Sequence, residues 1–231
     1  MKRESRLVFF AAAALALLPG RAAIAADHLQ QVLHELDAAA VRFHSTSADF
    51  EFDSIQTDPI PDKDVQKGVV YYARKDHAFE VGIHIREVNG KASPKVLTIS
   101  HGVSRLYEKM VDQVTTFHGM SKYEGYMELG FGASGKDLAA KWEIKYLGSE
   151  TVDGVKTEKL ELVAKDPAVR KNFPKVTVWM DTERGLSLKQ VFDEGQGQYR
   201  VCTYFNIKMN QALPGDAFTF KTDSHTQYVN R

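Results

Sequence analysis

Residues 130–137 read GFGASGKD, and their types and spacing come close to two phosphate-binding patterns. Gly130, Gly132 and Gly135 satisfy G-x-G-x-x-G, where glycines let the backbone approach a pyrophosphate at a helix N-terminus. Gly130, Gly135 and Lys136 satisfy all but the last position of G-x-x-x-x-G-K-[ST], where a final hydroxyl holds magnesium. That last position is Asp137, whose carboxylate repels phosphate. The dinucleotide pattern also requires a buried strand before it and a long helix after it. SKYEGYMEL is a poor buried strand, DLAAKW is short, and no alternating series of strands and helices follows. No nucleotide is expected here. The glycines are expected to turn the chain tightly between two short helices, with Ser134 and Asp137 capping the second as in S-x-x-[DE]. Gly130, Gly132 and Gly135 would then form the hinge of a movable helical cover.

Little else in the chain carries catalytic chemistry. The eight histidines form neither H-x-H nor H-E-x-x-H, so no metal is expected. GASGK only resembles a G-x-S-x-G elbow. Cys202 is the single cysteine, so no internal disulfide can form, and its place in an alternating run marks a small buried residue. Acidic residues mostly alternate with apolar ones, as on the wet face of a strand. A carboxylate pair assembled across strands stays open at this level. Thirty Lys and Arg balance thirty Asp and Glu with no basic block, which excludes a nucleic-acid footprint. The expectation is a protein without catalytic residues or a cofactor.

The elements that must position these residues are read from periodicity. DHLQQVLHELDAAAVRF places Leu29, Val32, Leu33, Leu36, Ala40 and Phe43 on one helical stripe, and Asp27 with Gln30 resembles a capping box at its start. The period then changes to two. Phe50 and Phe52 alternate with acidic residues, and Phe79, Val81, Ile83 and Ile85 alternate with Glu80, Gly82, His84 and Arg86. Further alternating runs extend to AFTFKT, many separated by turn pairs such as Asn89-Gly90, His101-Gly102 and Asp153-Gly154. About ten or eleven strands are expected in one antiparallel meander. A second helical zone is expected from Gly119 to Trp142.

The N-terminus resembles an export signal. Lys2, Arg3 and Arg6 precede the apolar run Leu7–Leu18, Pro19-Gly20 breaks it, and Ala23-Ile24-Ala25 offers a small-x-small cleavage site. The run is shorter than the about 20 apolar residues that span a bilayer. Residues 1–25 are therefore expected to be removed, leaving 26–231 as one domain in the periplasm. Without a cysteine near the new N-terminus, no lipid anchor is expected there.

Some strands are apolar on both faces. KVTVWMD sets Val176, Val178 and Met180 on one side and Trp179 on the other, and KGVVYYAR sets Val69 and Tyr71 against Val70 and Tyr72. One helix and a small cover must bury this surface. A strongly curved sheet wrapped round its helices would leave an apolar hollow; a fully packed sheet-on-helix core would not.

At this point the residues resemble a known family, the LolA-type outer-membrane lipoprotein carriers. The resemblance runs from HLQQVLHELDAAAVRF and HSTSADFEF, through GVVYYARKDHAFEV, to VTVWMDTERGLSLKQVFDEGQGQYRVCTYFNIKMNQALPGDAFTF. The last stretch holds a Trp-x-Asp strand end, a Gly-Leu turn, a Gly-x-Tyr step, an Asn-Ile-x-x-Asn step and a closing Phe-x-Phe. GFGASGKDL resembles a variant branch. The resemblance implies an α+β protein, mainly β: an incomplete antiparallel β-barrel whose open side is covered by helices. It implies a monomeric periplasmic carrier of lipoprotein acyl chains, loaded by an inner-membrane export complex and unloaded to an outer-membrane acceptor. It implies that Arg74 ties the lid to the barrel through backbone carbonyls and that Phe79 lines the hollow. Leu29, Leu33, Phe50, Phe52, Val81, Ile83, Val178 and Trp179 complete the expected lining. Lys75 stands where the family often has proline, and the loop QTDPIPDKDVQKG exceeds that of the shortest members. A regulator built on the same half-barrel, a membrane-anchored acceptor and an enzyme on a curved sheet are the competing classes.

Overall fold

Asn89-Gly90, His101-Gly102 and Asp153-Gly154 all adopt positive φ at both residues, the geometry that matches the strand twist of two-residue hairpins. The computed structural model describes residues 20–75, 78–118 and 129–231. Helix α1 (Gly20–Arg42) precedes six strands: β1 (Ser45–Gln56), β2 (Asp62–Lys75), β3 (Ala78–Val88), β4 (Lys91–Ser100), β5 (Val103–Glu108) and β6 (Gln113–Phe117). Helix α2 (Gly135–Lys141) leads into β7 (Trp142–Val152) and β8 (Val155–Ala164). Helix α3 (Pro167–Asn172) then precedes β9 (Lys175–Asp181), β10 (Leu186–Gly195) and β11 (Gln198–Met209), and β12 (Gln227–Asn230) comes last.

The strands form one sheet in the order β12-β6-β5-β4-β3-β2-β1-β11-β10-β9-β8-β7. Two meanders meet in the middle, where β1 pairs antiparallel with β11. Among the described strands, only β12 on β6 is parallel. The terminal strands β12 and β7 lie at opposite edges, so the sheet is an open half-barrel, mainly β with helices, as expected.

Three details differ from the sequence reading. Twelve strands form among the described residues rather than about ten or eleven, and β12 is not among the expected runs. AFTFKT is not a strand: this segment crosses the outer face, with the Ala217 carbonyl 3.1 Å from His84 Nε2 and Phe220 stacked on Tyr107. A Cβ at Gly82 would lie 1.9 Å from that carbonyl, so only glycine admits the crossing. Helix α1 begins at Gly20, not Asp27, because alanine-rich RAAIAAD after it favours helix. The expected cleavage point at Ala25 falls inside it, and residues 1–19 lie outside the described residues. Of the second helical zone, α2 is described and most of YEGYMEL is not.

The end of α1 is fixed by Asn210, the last residue of the Asn-Ile-x-x-Asn step. Its side-chain oxygen accepts from the amides of His44 (2.8 Å) and Ser45 (3.2 Å), and its amide donates to the Arg42 carbonyl (2.7 Å). This satisfies a helix terminus that would otherwise be left with open polar groups.

Apolar residues collect in two clusters. In one, Val32 and Leu36 of α1 pack on Leu160 and Leu162 of β8 and on Val176 and Val178 of β9. In the other, Phe43, Phe50, Val70, Tyr72, Val81 and Ile99 line the concave face of β1–β4. The described end of the connection from β6 to β7, residues 129–134, lies on this concave side, where Phe131 joins the second cluster. Burial of Leu36 is complete. We expect Leu36→Ala to lower the unfolding free energy by about 2–5 kcal/mol. Val41→Ala, at a side chain 79% exposed on the same helix, should stay within about 0.5 kcal/mol in the same urea titration.

Candidate functional site

The glycine loop sets the inner wall. Gly130 and Gly132 have φ of 83° and 74°. A Cβ on Gly132 would lie 2.4 Å from the Phe43 ring, and one on Gly135 would lie 2.1 Å from the Leu33 carbonyl oxygen. The loop is thus pressed between α1 and β10, where Ser187 N donates to the Gly130 carbonyl at 2.7 Å. Gly130 and Gly132 flank Phe131, which is fully buried. The Phe131 ring stacks on Tyr72 (centroids 4.1 Å apart) and meets Tyr204 edge-on at 4.8 Å. Ser134 caps α2 as the S-x-x-D pattern implies, its hydroxyl accepting from Asp137 N at 3.0 Å.

Arg74 joins this loop to α1. One guanidinium nitrogen donates to the Ala40 carbonyl and another to the Gly132 carbonyl, both at 2.7 Å. The guanidinium also lies 5.1 Å from the Phe79 ring and 5.8 Å from the Phe43 ring. The planar fork of arginine suits two carbonyls that belong to different segments.

Beyond Phe131 the half-barrel encloses a cavity of about 740 Å³. Its depth follows from strand register. Tyr72, Tyr204 and Gln190 form the floor beside the Phe131 plug, and Phe50, Phe52, Val70, Ile83, Ile85 and Leu97 form the walls. Phe173 and Phe192, 5.7 Å apart and edge-on, close one side. Lys171, Asn172, Glu194 and Arg200 stand at the mouth, where α3 and the β10–β11 turn lie. Arg74 is at the opposite end of the same strands, beside the start of β1. Burial pushes the Cys202 thiol up to about 12 and raises the Tyr72 and Tyr204 hydroxyls in the same direction. These groups stay neutral at physiological pH, so among the described residues charge in the lining is confined to the mouth. The arrangement can hold an apolar chain, and among the described lining residues there is no nucleophile–base pair.

Of the expected lining, Phe50, Phe52 and Ile83 reach the cavity. Phe79 and Val81 belong to the same apolar cluster but sit deeper, near Arg74. Leu29 and Val178 pack in the other cluster, under α1, and Leu33 lies against Gly135. Trp179 is on the outer face: its indole donates to Glu150 at 2.6 Å, with the Lys159 and Lys189 ammonium groups 4.8 and 4.9 Å from its ring. These long side chains cover it, which is why both faces of β9 read as buried. Sequence reasoning missed Phe131, Phe173, Phe192 and the mouth residues. Asp166-Pro167, an N-cap followed by proline at the first helical turn, was the signal for α3.

No family model matches the chain. An uncharacterised protein of Methanocaldococcus jannaschii is 28% identical over 115 residues, half of this chain and only 32% of that protein. An uncharacterised conserved protein of Thermus thermophilus superposes with a TM-score of 0.55 at 12% identity, over 88% of this chain and 99% of that one. MucB superposes with a TM-score of 0.52 at 13% identity, over 88% of this chain and 66% of MucB. Pseudomonas aeruginosa MucB has been solved in complex with MucA. The open half-barrel with its N-terminal helix is also the architecture that the sequence resemblance implies. The fold is an open half-barrel of the kind these structures have. At these identities the likeness concerns architecture.

Within the half-barrel, Gly132 and Gly154 separate two demands on glycine. Gly154 has φ of 77° with open space around it. Gly154→Ala should cost about 1–2 kcal/mol for left-handed backbone alone. Gly132→Ala must also displace the Phe43 ring and should cost about 3 kcal/mol or more by urea unfolding.

Cys202 gives a pH signature. Unfolded, the thiol ionises near its ordinary 9.0; folded, it keeps its proton to about 12. In that window the unfolded chain binds fewer protons, so stability falls as pH rises. The urea midpoint should begin to fall near pH 9 in the wild type. In Cys202→Ala the fall should be delayed towards 10.0, the ordinary value of the buried tyrosines.

Proposed function

We propose that this chain is a carrier in the cell envelope that holds an acyl chain of a lipoprotein or another lipid in its half-barrel. In this reading residues 1–25 direct export to the periplasm, and the protein shuttles cargo from an inner-membrane export complex to an outer-membrane acceptor. The observation that carries the proposal is the apolar cavity of about 740 Å³. Each methylene moved from water into it contributes about 0.8 kcal/mol. A methylene takes about the volume of a water molecule, about 30 Å³, so the hollow holds roughly two dozen. That is one long acyl chain.

Arg74 supplies the means of release. Its two hydrogen bonds hold the glycine loop, and with it Phe131, against α1. The closed, empty state competes with cargo, and the latch sets how strongly. Such a latch must be worth only a few kcal/mol, or loading stalls.

Likeness to MucB, solved in complex with MucA, supports a second reading, a half-barrel that binds a protein partner. Identifying material bound to the purified protein by mass spectrometry separates the two. Acyl species support the carrier; an empty cavity in both the wild type and Arg74→Leu argues against it. Losing the latch favours the loaded state, so Arg74→Leu should slow release of a bound acyl probe to acceptor vesicles by about tenfold. An unchanged rate would remove Arg74 from the mechanism.

A further inference from the structure

We propose that the cavity mouth is a headgroup site for a single-chain anionic amphiphile, with Lys171 and Arg200 meeting its phosphate or carboxylate oxygens. The proposal rests on the carrier reading and adds the class of cargo to it.

The cavity sorts its lining by depth. The floor holds Tyr72, Tyr204 and Gln190, and among the described residues none that lines the cavity below the mouth is charged. Burying an ionised headgroup there would cost far more than the chain recovers. An amphiphile must therefore enter tail first and leave its head at the mouth, beside Lys171, Glu194 and Arg200.

The charges at the mouth do not cancel. Arg200 Nε is 2.7 Å from Glu194 Oε1, which neutralises that carboxylate. The bond occupies one of five guanidinium N–H donors and leaves the outer nitrogens for a ligand. The guanidinium lies 5.9 Å from the Phe173 ring, which holds it across the opening. Lys175, the next cation along, is engaged by Asp193 at 3.6 Å and Glu161 at 4.0 Å. Lys171 enters no ion pair among the described residues, yet it lines the cavity. The mouth thus carries one uncompensated positive charge beside a partly used arginine fork. Charge-assisted bonds from both groups to anionic oxygens are short and strong.

Displacement of the fluorescent probe N-phenyl-1-naphthylamine from the purified protein tests this at physiological salt. Hexadecyl phosphate, palmitoyl lysophosphatidylcholine and hexadecyltrimethylammonium share a chain length and differ in head charge. Hexadecyl phosphate should bind about tenfold more tightly than the cationic amphiphile. In Lys171→Glu, an exposed position, that ratio should fall to about one, and lysophosphatidylcholine, whose phosphate is offset by its choline, should lose less affinity than hexadecyl phosphate. Inorganic phosphate alone should not displace hexadecyl phosphate; efficient competition would make the mouth a free-anion site and overturn the proposal. Equal affinity for all three amphiphiles, unaltered in Lys171→Glu, would overturn the headgroup site and leave the carrier reading standing. Binding of none of them would overturn both.

Discussion

A helix is narrower than the sheet it must cover. With side chains it is about 10–12 Å across, and strands lie about 4.8 Å apart, so one helix shields two or three strands. Here α1 packs over β8 and β9, while β1–β4 turn a second apolar face to the same side. Bending the sheet into a half-barrel brings the two faces together and does not fill the space between them. The hollow is the geometric remainder of that mismatch. An ordinary core would be packed as densely as an organic crystal, and a void of this size lined by phenylalanine would carry a large penalty unless something enters it.

The topology adds a second consequence. Two meanders joined at β1 and β11 leave β6 and β7 far apart in the sheet, and the described end of their connection, residues 129–134, lies on the concave side. It supplies the Phe131 plug and ends in α2. Its approach to α1 and β10 is so close that Gly130, Gly132 and Gly135 have no room for a side chain. Arg74 then ties the loop to the end of α1. The Phe131 ring and the Arg74 latch lie toward one end of the half-barrel, and the charged mouth lies at the other. The nucleotide-like glycines are explained by close packing, with no phosphate required.

The sequence made the architecture legible through periodicity. The α1 stripe, the alternation of Phe79, Val81, Ile83 and Ile85, and the Ser134–Asp137 cap are all local signals, and all three are present. Alternation tells which residues share a face but not which face turns inward. That is why Val178 and Trp179 were expected in the lining: Val178 lies under α1, and Trp179 is on the outer face beneath two lysines. The mouth was invisible for a different reason. Lys171 and Arg200 are distant in sequence and meet only because α3 and the β10–β11 turn fall at the same end of the sheet. Phe131 was hidden between two glycines that drew attention to themselves.

The central claim is that an acyl chain lies inside the half-barrel against β1, β3 and β10. Photo-crosslinking with a hexadecyl amphiphile bearing a diazirine near the chain end, followed by peptide mapping, tests it most directly. The label should fall on the inward residues Phe50, Phe52, Ile83 and Phe192, and an excess of unlabelled amphiphile should remove it. Labelling spread over outward positions such as Trp179 and Tyr71, or insensitive to competitor, would contradict an internal site.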